Sequence, residues 1–279
     1  MEIYYVNTYN EKVVLNRWPC MIQNIEELVA YEWQSETRKM SNHKEKILRF
    51  YMNLKKKKVE LSIFAEREEE LPETINQMHR IFEKDIIRNS PGKLYVGDTY
   101  MWCYCYSGEA KEYEDEFYAS DYEIGIIQAK PFWVKEEKFT FEKYNENETS
   151  NFLEYPYDYK FDYMGTQKGT SAIEIDHYSE SEFKMIIYGP VVNPQIIIGS
   201  HTYQIRTVVE ENEYLMIDSG ERTVIRVQQD GTNINEFDNR NFESSVFEKI
   251  KFGKQNVNWS GEFGFDITVF KERSAPEWN

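Results

Sequence analysis

The sequence predicts a mainly β protein with one α-helix, in its first half. Three observations carry this reading. Apolar and polar residues alternate with a period of two along most of the 279 residues, turn signals separate those runs, and a helical period stands out once. Val59, Leu61 and Ile63 alternate with Glu60 and Ser62; Ile173 and Ile175 alternate with Glu174 and Asp176; Phe265, Ile267 and Val269 alternate with Asp266 and Thr268. Gly199-Ser200, Ser219-Gly220 and Asp230-Gly231 each fall between apolar segments, where glycine admits the backbone angles a tight turn needs.

In chain order, Tyr4 to Leu15 reads as a hairpin, followed by strands, a basic extended segment and the strand Val59 to Phe64. The helix covers about 71 to 86, because Leu71, Ile75, Met78 and Phe82 recur at helical steps. Pro72 is tolerated in its first turn, and Glu66 and Glu68 to Glu70 suit the positive end of its dipole. A strand pair follows, Lys93 to Val96 and Tyr100 to Tyr106, then strands around Ala129 to Trp133. Residues 143–158 are polar without periodicity and read as a linker between a first domain, 1–142, and a second, 159–279. The second domain is expected to fold alone as a two-sheet sandwich on Ile173, Ile175, Ile186, Ile198, Ile205, Leu215, Val227, Ile267 and Val269.

The net charge of −16 divides as −5 over residues 1–140 and −11 over 141–279, which disfavours a grip on nucleic acid. Within it lies a basic island: Arg38 to Lys58 carries nine basic residues and one acid, Glu45. No apolar run approaches the roughly 20 residues of a membrane span, and Met1-Glu2-Ile3 lacks the start of a signal peptide, so cytosolic synthesis is expected. The three cysteines, Cys20, Cys103 and Cys105, do not make a disulfide framework; Cys103 and Cys105 share a strand face with Met101 and read as buried hydrophobes. The 21 Tyr, 17 Phe and 6 Trp suit subunit contacts or sugar binding.

Catalytic motifs are missing. There is no HExxH, no GxSxG and no paired CxxC, and no metal or cofactor is expected. Gly165 to Ser171 resembles a phosphate loop only faintly, since the glycine-lysine-Ser/Thr order is absent and no helix pattern follows. His43, His79, His177 and His201 are scattered, and the acidic cluster Glu109, Glu112, Glu114, Asp115, Glu116 matches no calcium loop.

One set of motifs is more specific. Tyr155-Pro156-Tyr157-Asp158-Tyr159 opens the second half, after strands ending at Ala129-Lys130-Pro131-Phe132-Trp133. Ile196-Ile197-Ile198-Gly199-Ser200-His201-Thr202-Tyr203 and Glu213 to Ser219 follow, and Val269-Phe270-Lys271-Glu272-Arg273 precedes Pro276-Glu277-Trp278. Their order over nearly the whole chain resembles the distal tail protein family of long-tailed phages and related prophage particles. The resemblance implies an N-terminal β-sandwich or split-barrel ring domain with one helix, and a C-terminal galectin-like antiparallel β-sandwich. It implies a structural, non-enzymatic role at the virion tail tip. There a homo-hexameric hub ring joins the tail tube to the tail-tip protein (a tail-associated lysin) and to baseplate or receptor-binding components, and leaves a channel for DNA. A long inserted carbohydrate-binding module, present in some larger members, is absent here. A lectin-like module contacting the host wall is the alternative, and a carbohydrate-active enzyme the third.

Two sets of candidate residues follow. In the resembled family an extended arm reaches the adjacent subunit, so Arg38, Lys39, Lys44, Lys46, Arg49, Lys55, Lys56, Lys57 and Lys58 are candidates for an inter-subunit clasp; a solvated basic face and contact with exiting DNA are the competing readings, the last the weakest because tight phosphate contacts would retard a passing genome. Tyr188, Tyr203 and Trp259 are candidates for stacking on a sugar ring, against core packing or interface.

Overall fold

A computed structural model of the protein describes residues 1–40, 44–67, 69–114, 118–144 and 169–277. The chain divides into two compact units, Met1–Lys135 with Glu272–Asn279, and Glu136–Lys271.

The first unit is an antiparallel sheet with a helix on it. The N-terminal hairpin pairs β1 (Ile3–Val6) with β2 (Lys12–Val14). Two short strands, β3 (Asn16–Arg17) and β4 (Cys20–Ile22), lead to a one-turn helix α1 (Ile25–Val29) that the periodicity did not signal. The ribbon β5 (Gln34–Lys39) and β6 (Glu45–Tyr51) comes next, then β7 (Lys56–Phe64). Helix α2 spans Glu70–Arg88 and ends on Asn89, whose φ of 52° is the left-handed cap an asparagine tolerates. It is followed by β8 (Gly92–Val96), β9 (Thr99–Glu114) and the long β10 (Ala119–Phe141). Strand neighbours run β3–β4–β7–β10–β9–β8–β1–β2. The β9–β10 ladder slips between Gln128 and Trp133, across Pro131, which has no N–H to donate.

The alternation dictates the core. Val59, Leu61 and Ile63 face inward with Ile3, Tyr5, Met101, Cys103 and Cys105, and α2 covers them with Leu71, Met78 and Phe82. The cysteines are therefore the small buried hydrophobes expected, and burial pushes the Cys20 thiol up to about 11. Asp85, fully buried on α2, accepts the Tyr5 hydroxyl at 2.5 Å and the Thr8 N–H at 2.9 Å, tying the helix to the N-terminal hairpin.

The second unit is a sandwich. One sheet runs β19 (Asn233–Asn235), β18 (Thr223–Val227), β17 (Tyr214–Asp218), β12 (Glu182–Tyr188) and β21 (Phe265–Arg273), with the end of β10 beside β21. The other runs β11 (Thr170–Ile175), β20 (Gly253–Trp259), β14 (Gln195–Ile198) and β15 (His201–Gln204). A small ribbon pairs β13 (Val191–Val192) with β16 (Val208–Val209). Both sheets feed one core, which includes Phe141 from the end of β10.

Seven of the nine residues expected in this core are buried. Ile186 and Val227 are only partly so: in β12 the inward parity belongs to Phe183, Met185 and Ile187, and in β18 Val224 is the fully buried residue. Glu272–Asn279 groups with the first unit, where Lys135 meets Glu277 at 2.6 Å and Arg273 also pairs with Glu277. Of the expected linker, residues 145–158 lie outside the described residues, as do the Tyr155 to Tyr159 motif, His43, Asp115, Glu116 and Trp278. Beyond Gly169 the chain enters strand β11, with no helix N-terminus there for a phosphate to use.

Candidate functional site

The basic island splits into two structurally different parts. Arg38 and Lys39 on β5, Lys44, and Lys46 and Arg49 on β6 belong to a two-stranded ribbon whose described residues are all exposed. Its register pairs Arg38 with Lys46 and Glu36 with Arg49, and the Arg49 guanidinium meets the Glu36 carboxylate at 2.7 Å. Large apolar side chains share this exposure: Ile47, Leu48, Phe50 and Tyr51 on β6, with Met40 at the end of β5. A lone two-stranded ribbon is marginal in water, and one that presents apolar residues on both faces has the makings of a docking arm. Its base is held firmly. Lys55 and Gln128 exchange hydrogen bonds at 3.1 Å, Lys55 meets Glu32 at 3.0 Å, and the rings of Trp33 and Phe132 lie 6.1 Å apart.

The run Lys55 to Lys58 is committed within its own chain. Lys57 is 7% exposed and donates to the backbone carbonyls of Glu27 at 3.1 Å and Ala30 at 2.6 Å, at the C-terminal end of α1. Burial, and next the neighbouring Lys55 charge, hold its ammonium down at about 8. Lys58 meets Glu123 at 2.6 Å, and Lys111 bridges Glu123 and Glu60 on the same exposed face. Lys56 stands 5.2 Å over the Tyr106 ring. The parity of Val59, Leu61 and Ile63 already placed Lys57 on the inward face, a signal the charge run conceals.

The three aromatic candidates of the second unit are not brought together as stacking platforms. Tyr203 is buried, donates its hydroxyl to the Glu248 carbonyl at 2.9 Å, and packs edge-on to Phe183. Tyr188 is half exposed, and its hydroxyl donates to Asp266 at 2.8 Å, beside Lys138 at 2.7 Å from the same carboxylate oxygen. Trp259 is packed edge-on against Phe141 and Phe265 and donates its indole N–H to the Phe263 carbonyl at 3.1 Å. It does border a groove of about 330 Å³ with Val191, Asn193, Gln195, Ile197, Asn258 and Glu262, which the sequence did not signal.

Among the described residues, the histidines do not converge with other chemistry-bearing side chains. His79 shares a hydrogen bond with the Tyr122 hydroxyl, the His177 ring lies tilted 4.3 Å from the Tyr178 ring, and His201 Nε2 lies 2.7 Å from the Ser245 carbonyl. Among the described residues no three His, Cys, Asp or Glu side chains group in a way that could hold a metal ion, and no helix is long and apolar enough to cross a membrane.

No protein-family model matches the sequence, and no curated protein matches it. Solved structures do share its fold along nearly the whole chain. The crystal structure of the Dit protein of phage SPP1, described as a paradigm of the hub adsorption apparatus in phages infecting Gram-positive hosts, matches with a TM-score of 0.59 at 6% identity, covering 98% of each chain. A chain of the phage P2 baseplate in its activated conformation with Ca matches at 0.63 and 14% identity, covering 99% of each chain. The phage p2 baseplate with Sr matches at 0.64, again at 14% identity and 99% of each chain. At such identities the likeness is one of fold: mainly β, antiparallel, with one long helix in the first unit and a sandwich in the second.

Proposed function

We propose that this chain is a distal tail protein, the structural hub of a phage tail or a related tail-like particle. The observation that carries the reading is the full-length match, in which 98–99% of both chains align with a phage hub protein and with phage baseplate chains. A partial match would leave room for one borrowed domain; a match in order across both units supports the same kind of part. In this reading six copies close into a ring around a channel through which DNA leaves. The ring joins the tail tube to the tail-tip protein and carries baseplate or receptor-binding components. It sits at the tail tip of the virion and is made in the host cytoplasm. The acidic net charge keeps such a channel free of phosphate grip, and the exposed arm supplies the contact to a neighbouring copy. No catalytic step is assigned to it.

The arm's share of the clasp belongs to Arg38, Lys39, Lys44, Lys46 and Arg49, which stand on the exposed ribbon, Arg49 beside Glu36 of the same ribbon; Lys55 to Lys58 lie at its base and on β7, where Lys57 is buried and Lys55 and Lys58 meet Glu32 and Glu123. Light scattering and negative-stain imaging test the hub reading. A ring with the mass of six chains is expected. A protein that stays monomeric at micromolar concentration, alone and with a tail-tip partner, would overturn it.

A second reading, a lectin-like module for host-wall saccharide, is favoured by the groove beside Trp259, where carboxamides of Asn193, Gln195 and Asn258 and the Glu262 carboxylate surround an apolar floor. Retention on host cell walls that is lost in Asn258→Ala, by a monomeric protein, would select it over the hub.

A further inference from the structure

The five-stranded sheet of the second unit turns apolar side chains outward as well as inward. Its register sets two rows side by side on the outer face: Tyr188, Tyr214, Val227 and Asn233 in one, and Asp266, Ile186, Met216, Ile225 and Asn235 in the other. An antiparallel sheet whose outer face meets only water alternates to polar residues there, and the three central strands of this one do not. At the β18–β19 end the face deepens into an open pocket of about 270 Å³, lined by Arg222, Thr223, Ile225, Asn233, Asn235 and Phe237. The Asn235 carboxamide oxygen accepts the Phe237 N–H at 2.9 Å, which leaves its amide nitrogen to donate from an exposed side chain. Arg222 is the cation of the pocket. It is exposed, and among the described residues its guanidinium meets no carboxylate, whereas Lys138, Arg226, Lys249 and Lys271 of the same unit all do. Its backbone holds φ at 53°, a left-handed angle that suits glycine and that nearby Gly220 does not take.

We propose that this face binds a saccharide carrying one carboxylate, with the acidic ring in the pocket and its carboxylate on Arg222. The inference goes beyond the hub reading and does not depend on it, and it uses the sheet opposite the one that carries the groove beside Trp259. The planar guanidinium fork matches a carboxylate with two parallel hydrogen bonds. Asn233, Asn235 and the Thr223 hydroxyl offer partners for ring hydroxyls, and Ile225 and Phe237 an apolar wall for the ring's C–H face. An apolar cavity of about 150 Å³ already admits benzene, so this pocket has room for one sugar ring. From it the row Asn233, Val227, Tyr214, Tyr188 crosses three strand spacings, about 14 Å, so neighbouring rings of the saccharide would lie over tyrosines that pair an apolar face with a polar tip. The acidic charge of this half of the sequence opposes a polymer charged at every ring and favours a single carboxylate among neutral sugars.

Saturation-transfer NMR on the full chain tests this, because it reads bound sugar protons on a single chain and on an assembled ring alike. The probes are aldotriouronic acid (glucuronic acid on xylobiose) and sialyllactose, with xylotriose and lactose as their neutral counterparts. The expected result is binding of at least one acidic probe, about tenfold or more tighter than its neutral counterpart, the equivalent of a hydrogen bond to a charged group. Arg222→Gly removes the guanidinium and places at φ 53° the residue most at home there, so the hairpin is kept while that advantage is lost. Asn235→Asp keeps the acceptor for the Phe237 N–H, adds a carboxylate to the pocket that holds Arg222, and should weaken binding in the same way. Four outcomes overturn the proposal: no transfer to either acidic probe, equal affinity for the neutral ones, binding that survives both substitutions, or displacement by an equal concentration of inorganic phosphate, which would mark a bare anion site. Each leaves the hub reading to be judged by its own ring.

Discussion

Replacing Lys57 by methionine separates the buried member of the lysine run from its exposed neighbours. The methionine keeps an unbranched apolar stem but removes both donors, leaving the carbonyls of Glu27 and Ala30 without their partners. A hydrogen bond involving a charged group contributes about 1.5–3 kcal/mol. Glu27 and Ala30 are themselves exposed, so their carbonyls recover part of that from water. The expected loss is therefore about 2–3 kcal/mol, whereas Lys56→Met, at an exposed position, should stay within about 0.5 kcal/mol. Urea unfolding followed by the fluorescence of Trp133, buried in the same unit, reads the difference. The pH dependence supplies a second, signed check. Burial lowers the folded-state value to about 8 from 10.5, so below pH 8 both states hold the proton and the contribution is flat. Between those values the folded chain has released a proton that the unfolded chain keeps, and stability rises with pH, by at most about 1.4 kcal/mol per unit. The neutral amine still has two N–H donors for the two carbonyls. The stability gap between the unmodified protein and Lys57→Met should thus widen from about pH 7.5 to 9.5. Equal stabilities of Lys56→Met and Lys57→Met, or a gap that narrows with rising pH, would refute the reasoning.

Two further outcomes concern the second unit. Arg226 bonds Glu236 and Glu213, each at 2.8 Å, so Arg226→Met strands a buried Glu236 carboxylate and should cost about 3 kcal/mol in urea unfolding. The Arg226 hydrogen bond holds the Glu213 carboxyl below its ordinary value, so in the unmodified protein this contribution is present above the unfolded carboxylate range and fades as pH falls through the folded value; an acid-unfolding profile that Arg226→Met leaves unchanged would show that the pair is idle. A fragment of residues 136–271 should give a dispersed amide spectrum. A fragment of 159–279 lacks Phe141, which stacks on Phe265 at 4.5 Å between centroids, and should be less stable by about 3 kcal/mol.

Fold class was legible because alternation and helical period report which side chains leave water, and those are the strongest local signals a chain carries. Leu71, Met78 and Phe82 placed α2 to within two residues at each end. Parity failed at Ile186, where an unbroken apolar run, Met185 to Ile187, has no polar member to mark the inward phase. Helix α1 escaped because five residues hold barely one period. At the candidate site, composition found the basic island but not its division. Charge alone does not say that Lys57 shares the inward parity of β7, nor that Met40 lies at one end of a ribbon whose second strand begins at Glu45. The groove beside Trp259 draws on β13, β14 and β20, and no local pattern joins segments that far apart in sequence.

The path of the chain between the two units has a practical side. The second unit occupies one continuous stretch, Glu136–Lys271, entered by β10 and left by β21, and these two strands are hydrogen-bonded neighbours. Entry and exit side by side are the arrangement under which a module can be exchanged as a cassette, since the host unit's two cut ends stay the same distance apart whatever is placed between them. A variant that keeps the first unit and changes the second could be made by trading this stretch alone, leaving the exposed ribbon untouched.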